Sequence, residues 1–199
     1  IQGELGLQQQ ISYNMALDVT AYFWDIRDLA GTRSEEITLF GGSASYNRLE
    51  NSDFAYVRGI VLSLSMIETN GFSASLDYTF QIAKGSASDP QQARNAIAGG
   101  SLPEIQLTPL DWDQRNTVNM SLAYDRANWG ISGIGQFGSG LPYTPLSTED
   151  ISSLVLNSGK KPLTWNVDLK GYFIPRDGLR LFIRTENIFD RLNPYTVYD

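Results

Sequence analysis

The residues that could do chemistry in this chain are carboxylates and glycines, because it contains neither His nor Cys. A Ser-His-Asp triad, a His-liganded zinc site and thiolate chemistry are therefore excluded from this stretch. Asp111, Asp113 and Arg115 are spaced at i, i+2 and i+4, which places them on one face if the segment is extended. We interpret them as a structural salt network, since a glycosidase needs opposed carboxylates about 5 to 10 Å apart around a sugar.

Two acidic pairs and one glycine motif give weaker indications of a functional site. Glu35-Glu36 and Glu149-Asp150 lie in predicted loops and could offer oxygen ligands to Ca²⁺, although acidic pairs in loops are usually solvated. Residues 133–138 match G-x-G-x-x-G, but the following SGLPYTP cannot open the helix that would hold a pyrophosphate. These glycines are expected to allow a bulge or close packing in a strand. The sequence predicts no catalytic residue, no metal site and no cofactor.

Composition narrows the class of protein further. Hydrophobic residues make up 42% of the 199 residues and charged residues 19%, which excludes a disordered tail. No apolar run approaches the roughly 18 residues of a transmembrane helix, so a membrane assignment has to depend on strands. The formal net charge of −7 argues against nucleic acid as a partner, because a phosphate-binding surface needs clustered Lys and Arg.

The elements that position all of these residues are strands with one apolar and one polar face. In residues 72–81, Phe72, Leu76 and Phe80 alternate with polar neighbours such as Asp77, which is the period of a strand. The same alternation recurs about eight times along the chain. It predicts strands near 2–11, 14–25, 54–67, 72–82, 115–126, 129–138, 163–174 and 179–189.

The connections between these strands alternate in length. Four are tight turns that contain Asn or Gly, and three are long segments rich in Gly, Ser, Pro and acidic residues, at roughly 26–53, 83–114 and 139–162. Compact soluble domains rarely carry several such loops, whereas membrane barrels pair short periplasmic turns with long extracellular loops. We therefore predict an all-β, antiparallel up-and-down meander of about eight strands that belongs to a transmembrane β-barrel.

Such a barrel wall has hydrocarbon on one side and a polar lumen on the other, which assigns each row of side chains to a medium. Aromatic residues near predicted strand ends are typical of the girdles at the two membrane interfaces, although aromatic residues are common in any strand. The lipid-facing prediction comprises Leu17, Val19, Leu62, Leu64, Leu76, Tyr78, Met120, Leu122, Leu169 and Leu181. The lumen-facing prediction comprises Asp18, Asp77, Asp125, Asp168, Lys170 and Arg184.

Several segments resemble the late barrel of TonB-dependent outer-membrane receptors. They are DWDQRNTVNMSLAYD with the later GQFGSGLPYTP, the hairpins ELGLQQQISYNMALDVTAYFWDIRDL and NSDFAYVRGIVLSLS, and the C-terminal VDLKGYFIPRDGLRLFIRTENIFDRLNPYTVYD. In the last of these, TENIFDR is similar to the family's recurrent strand end. The resemblance spans essentially all 199 residues and favours the larger, carboxypeptidase-regulatory-like subgroup.

The resemblance implies a bacterial outer-membrane barrel of about 22 strands, with an N-terminal plug in its lumen, that imports a scarce nutrient such as a siderophore, cobalamin, glycan or peptide. Residues 1–199 would then be a partial barrel domain, with the plug, the TonB-contacting segment and the closing strands outside this stretch. Its implied partners are outer-membrane lipid, its own plug domain, TonB and an imported ligand. Ligand contacts in this family come from the plug apex and loops, which makes four aromatic residues candidates: Trp24, Tyr46, Trp112 and Tyr143.

Three alternatives stay open at this point. The first is a porin-like or small eight-stranded barrel without a plug. The second is a soluble β-sandwich that binds a ligand, whose strands also alternate but whose turns usually recur every 8–12 residues. The third is a barrel enzyme with catalytic groups outside this chain.

Overall fold

The protein is seen here as a computed structural model that describes residues 1–39, 42–86, 107–145 and 156–194, and only the backbone of 33–39 and 42–45. These residues form strands, turns and irregular segments. No helix in the described ranges is long and apolar enough to cross a membrane. The all-β prediction is confirmed.

Eight long strands form one antiparallel sheet, in which neighbours along the chain are neighbours in space. The long strands are β1 (Gln2–Ser12), β2 (Met15–Leu39), β3 (Gly42–Thr69), β4 (Phe72–Gly85), β6 (Asn116–Asp125), β7 (Trp129–Gly138), β10 (Thr164–Arg176) and β11 (Leu179–Thr185). Three two-residue strands complete the structure: β5 (Thr108–Pro109) on the edge of β4, and β8 (Pro142–Tyr143) paired with β9 (Gly159–Lys160).

The register joins the apolar rows of neighbouring strands into one surface. Leu17 is the cross-strand partner of Leu64, which is the partner of Leu76. Leu76 in turn pairs with Met120. Because directly opposed residues of an antiparallel pair lie on the same side of the sheet, these side chains form a continuous apolar row. We call this side of the sheet the apolar face.

The opposite side, called the polar face, is continuous in the same way. Asp18 pairs with Ser63, Ser63 with Asp77, and Asp77 with Asn119. A slip of one residue in any of these pairings would move a whole strand's apolar row onto the polar face, so the register is strongly specified.

The tight turns form as predicted and meet at one end of the sheet. At the β3–β4 turn, Asn70 and Gly71 both have positive φ, at 54° and 88°, which is the backbone that a two-residue hairpin requires. The Gly71 N–H also donates to Oε1 of Glu68 at 2.7 Å. We call this end of the sheet the short-turn end and the opposite end the rim.

The predicted loop at 26–53 is wrong. Strands β2 and β3 continue past the predicted ends and pair from Met15 opposite Met66 out to Leu39 opposite Gly42, with bulges near Leu29. The polar and glycine-rich sequence of this segment has no apolar row, so periodicity could not reveal a strand there. The outer part of this hairpin is held together by backbone hydrogen bonds between β2 and β3 instead.

The arrangement of the strands also argues against two of the alternatives, the soluble β-sandwich and the small eight-stranded barrel. Within the described residues the long strands form a single sheet with β1 and β11 as its edges, and no second sheet packs against its apolar face. This contradicts a soluble β-sandwich, which needs two facing sheets. It also contradicts a closed barrel of these eight strands, because β1 and β11 do not pair with each other in the described part of the chain.

Candidate functional site

The rim of the sheet carries a folded cluster of loop segments. We call it the rim cluster and define it as residues 107–115, 139–145 and 156–161. Strand β6 stops pairing with β4 at Asn116 opposite Phe80, which leaves the edge of β4 free between Gln81 and Gly85. The rim cluster covers this free edge.

Successive residues of the rim cluster replace the missing strand partner. The Gln81 N–H donates to the Arg115 carbonyl at 3.1 Å, and the Leu110 N–H donates to the Ala83 carbonyl at 3.1 Å. Between them, the Ala83 N–H donates to Oδ1 of Asp113 at 2.8 Å. An uncovered strand edge is a template for unwanted pairing with another strand. Here the backbone groups of the β4 edge are hydrogen-bonded by the rim cluster, partly through a side chain.

Asp113 is the most buried charged group of the site, with 2% of its surface exposed. Its second oxygen, Oδ2, accepts a hydrogen bond from Nε of Arg115 at 2.7 Å. A buried carboxylate is tolerated when it is paired and hydrogen-bonded, as it is here. The predicted structural salt network is therefore present between Asp113 and Arg115.

Asp111 does not join that pair, because the chain turns at 111–112 instead of running extended. It binds a different part of the rim cluster: the Asn157 side-chain amide donates to Oδ1 of Asp111 at 2.7 Å and to the Pro109 carbonyl at 2.8 Å. The Asn157 backbone N–H donates to Oγ1 of Thr144 at 3.0 Å. One buried Asn in the left-handed region, with φ of 54°, thus joins all three segments.

A small apolar core fixes the rim cluster to the polar face. Leu110 is buried together with Ala55, Val57 and Ala83, three small residues that point from β3 and β4 to that face. Tyr22 and Ile26 of β2 pack against the same group. The segment at 107–115 therefore folds over the polar side of the sheet.

Glycines at the end of β7 permit the close contact with the loop. A Cβ on Gly138 would clash with Nε2 of Gln114, and a Cβ on Gly140 would clash with the Lys161 carbonyl oxygen. The motif at 133–138 forms a regular strand, and its last glycine has the close-packing role that the sequence suggested.

The structure separates the four predicted ligand-binding aromatics. Trp24 points to the polar face opposite Val57, Trp112 follows Leu110 in the rim cluster, and Tyr143 lies in β8. Tyr46 pairs with Glu35 far out on the hairpin of β2 and β3, eleven residues and thus roughly 37 Å of strand beyond Val57. Three candidates therefore lie on or beside the rim cluster and one does not. Ligand binding by any of them stays a prediction.

The predicted rows fall on opposite faces of the sheet. All ten residues of the lipid-facing prediction lie on the apolar face, and all six of the lumen-facing prediction lie on the polar face. The register thus agrees with the sorting of side chains into two sets. Which medium each face contacts stays a prediction.

Most charges of the polar face have partners within the sheet. Asp18 accepts hydrogen bonds from Gln8 at 2.6 Å and from Thr20 at 2.9 Å. Asp125 accepts one from the Tyr172 hydroxyl at 2.7 Å. Four further contacts complete the set: Asn166 and Asn187 each donate to Asp168 at 2.8 Å, the Lys170 ammonium lies 5.9 Å from the Phe182 ring centroid, and Arg184 pairs with Glu186 at 2.8 Å.

Sequence reasoning missed Asn157 and the edge-covering role of Asp113, because both depend on segments that are distant along the chain. An Asn followed by Ser and Gly in a polar loop gave a turn signal and nothing more. The side chains of Glu35-Glu36 and the pair Glu149-Asp150 lie outside the described residues.

The sheet with two chemically different faces, short turns at one end and folded loops at the other defines the fold class as the wall of a transmembrane β-barrel. Solved structures of such barrels are similar to this chain. The outer-membrane transporter YddB from Escherichia coli matches with a TM-score of 0.66 and 12% identity over 96% of this chain and 28% of that one. The ferric-catecholate import receptor Fiu of E. coli matches with a TM-score of 0.62 and 14% identity over 96% of this chain and 23% of that one.

These matches confirm the fold that the resemblance to TonB-dependent receptors predicts. The chain spans about a quarter of the length of the two proteins. No family model and no curated protein matches it. Both solved structures are named as a transporter or an import receptor rather than as enzymes.

Proposed function

We propose that this chain is part of the barrel of a TonB-dependent outer-membrane receptor, which takes up a scarce nutrient through a plugged lumen and catalyses no reaction. In this proposal the apolar face contacts lipid and the polar face lines the lumen. The plug domain, TonB and the nutrient are partners of the whole protein, and the nutrient is a siderophore, cobalamin, glycan or peptide.

The observation that carries the proposal is the uncovered apolar face. Leu62 and Leu122 lie near its centre and expose 37% and 41% of their surfaces, and no other described segment packs over them. A contiguous apolar surface that runs across several neighbouring strands does not stay in contact with water in a stable protein. Lipid is the medium that covers such a face while the other face stays polar.

The rim cluster supports a gated pore rather than an open one. Leu110 and Asp113 are anchored over the polar face, so the segment 107–115 that precedes β6 lies on the side of the proposed lumen. Exposed aromatic side chains such as Trp112 are then available at the lumen mouth, where an incoming ligand would first meet the barrel. The chain covers only about a quarter of each matched protein, and in this proposal the plug belongs to the rest of the whole protein.

Uptake by cells that express the full-length protein tests the proposal. Deletion of its gene should abolish growth when one member of a panel of ferric siderophores, cobalamin, glycans and peptides is supplied as the limiting nutrient. Removal of TonB from cells that contain the protein should abolish the same growth, because uptake is energy-coupled. Growth that requires the protein but not TonB would identify a porin-like pore instead, and growth that requires neither would contradict a role in uptake.

A further inference from the structure

The apolar face ends at the rim side in two rows that carry charge. Phe23 of β2, Arg58 of β3 and Ile82 of β4 are cross-strand partners in the first row, directly beyond Ala21, Ile60 and Phe80. The second row consists of Asp25, Tyr56 and Lys84. Arg58 and Lys84 thus lie on the same face as the apolar residues and two positions apart along the strands.

These two cations differ from their neighbours in having no acidic partner among the residues that the structure describes. Arg27 pairs with Asp25, whose Oδ2 lies 3.0 Å from the guanidinium, and this hydrogen bond raises the pKa of Arg27. The Arg58 guanidinium lies over the Tyr56 ring, 5.2 Å from its centroid. Among the described carboxylates none forms an ion pair with Arg58 or Lys84.

The surface around Arg58 is concave. A groove of about 600 Å³ is lined by Phe23, Asp25, Tyr56 and Arg58 together with the bulged segments of β2 and β3. Asp28 and Asp53 also line the groove and Lys84 does not, so an anion is expected beside Arg58, where Lys84 is the cross-strand partner of Tyr56, rather than next to these two carboxylates. An aromatic ring beside a cation suits a ligand that has both an anionic group and a less polar body.

The distance along the strand puts the groove at the level of lipid headgroups, if the face assignment of the proposed function is correct. From Met66 at the short-turn end to Arg58 there are eight residue steps, or roughly 27 Å of strand, which a tilt near 40° reduces to about 21 Å of height. The apolar band of an outer-membrane barrel is about 25 Å tall. Arg58 and Lys84 therefore lie where hydrocarbon gives way to phosphate.

We propose that Tyr56, Arg58 and Lys84 form a binding site for the phosphate-bearing headgroup of an outer-leaflet lipid. The inference rests on the proposed function for the lipid-facing role of the apolar face and goes beyond it by assigning a specific lipid site. The two cations neutralise the phosphate, and the Tyr56 ring packs against the headgroup's less polar part. The apolar row below them receives the acyl chains.

Lipid binding to the purified full-length protein tests this site, with native mass spectrometry as the readout. Diphosphorylated lipid A and zwitterionic phosphatidylcholine are titrated separately. Arg58→Gln and Lys84→Gln should each weaken lipid A binding about fivefold, which corresponds to about 1 kcal/mol for one basic residue near a charged lipid surface, and leave phosphatidylcholine binding unchanged. Arg58→Lys keeps the charge and should bind lipid A nearly as the parent does.

Lys170→Gln is the matched control, because Lys170 also lies beside an aromatic ring but on the polar face. It should bind both lipids as the parent does. Equal lipid A affinity in the parent, Arg58→Gln and Lys84→Gln would overturn the headgroup site and leave the proposed function intact. Loss of lipid binding in Lys170→Gln but not in Arg58→Gln would show that the faces are reversed, and both proposals would then be wrong.

Discussion

The carboxylate of Asp113 takes the place of a strand partner for Ala83, whose backbone N–H donates to Oδ1 at 2.8 Å where β6 no longer reaches β4. A loop side chain thereby completes the backbone hydrogen bonding of the sheet at the rim. The same contact holds the loop over the polar face, so the integrity of the sheet edge and the position of the loop depend on one carboxylate.

Asp113→Ala should therefore release the rim cluster from the edge of β4. A hydrogen bond to a charged group contributes about 1.5–3 kcal/mol, and here its loss also leaves Arg115 without its partner. We expect faster amide hydrogen exchange at Ala83 and across 107–115, measured by mass spectrometry on the full-length protein. Asp113→Asn is the control, since its Oδ1 can still accept from Ala83, and it should exchange more slowly than the Ala variant. Unchanged exchange in Asp113→Ala would contradict the edge-covering role.

Leu76→Arg and Asp77→Arg compare the two faces at adjacent positions of β4. If the apolar face contacts lipid, Leu76→Arg should reduce the free energy of folding into a bilayer by about 2–4 kcal/mol, and Asp77→Arg by much less. Chemical-denaturant titration of the full-length protein in lipid vesicles measures both. Equal effects would show that the assignment of faces to lipid and lumen is wrong.

Gly140→Ala should disrupt the junction between the segment after β7 and the segment after β9. The added Cβ would clash with a backbone oxygen, that of Lys161, so the chain has to move, at a cost of about 1–3 kcal/mol. Limited proteolysis should then cut near 139–145 sooner than in the parent. Gly171→Ala is the matched control, because its nearest side-chain contact is an ordinary 3.8 Å, and it should resist proteolysis as the parent does. Equal cleavage of the two variants would argue against a close contact at Gly140.

Asn157→Asp should loosen the rim cluster, because a carboxylate replaces the amide donor 2.7 Å from Oδ1 of Asp111. Loss of the donor and repulsion between the two acids should cost about 1–3 kcal/mol of local stability. Hydrogen exchange is expected to accelerate in both 107–113 and 156–161. The same substitution at Asn128, an exposed residue in a tight turn, should leave the rim unchanged. A rim equally protected in the parent and Asn157→Asp would show that Asn157 does not join these segments.

Trp112→Ala tests the aromatic candidates for ligand binding. Trp112 and Trp129 are each 45% exposed, but Trp112 lies at the rim and Trp129 at the short-turn end. Loss of a stacking surface for the ligand should raise the concentration for half-maximal uptake about tenfold, or about 1.4 kcal/mol. The measurement uses the nutrient identified by the growth panel. Trp129→Ala should leave this concentration unchanged, and an equal effect of both variants would remove Trp112 from the ligand site.

The sequence was sufficient to predict the meander and to assign side chains to the apolar face or the polar face, because both depend on local patterns. A strand that separates two media repeats every two residues, so Leu64 and Ser63 could be assigned to opposite faces without knowledge of their neighbours. The turn at Asn70 and Gly71 could be predicted for a similar reason, since positive φ is a property of the residues themselves.

The positions and contacts of the residues at the rim could be learned only from the tertiary structure. The burial of Asp113, the three-way contact of Asn157 and the remote position of Tyr46 all depend on residues tens of positions away. The extended hairpin of β2 and β3 shows the same limit, because its outer part has no apolar row to mark it as a strand. Local sequence therefore determined which way each side chain faces in the wall, and long-range hydrogen bonding determined how far the strands extend and how the loops fold over the polar face.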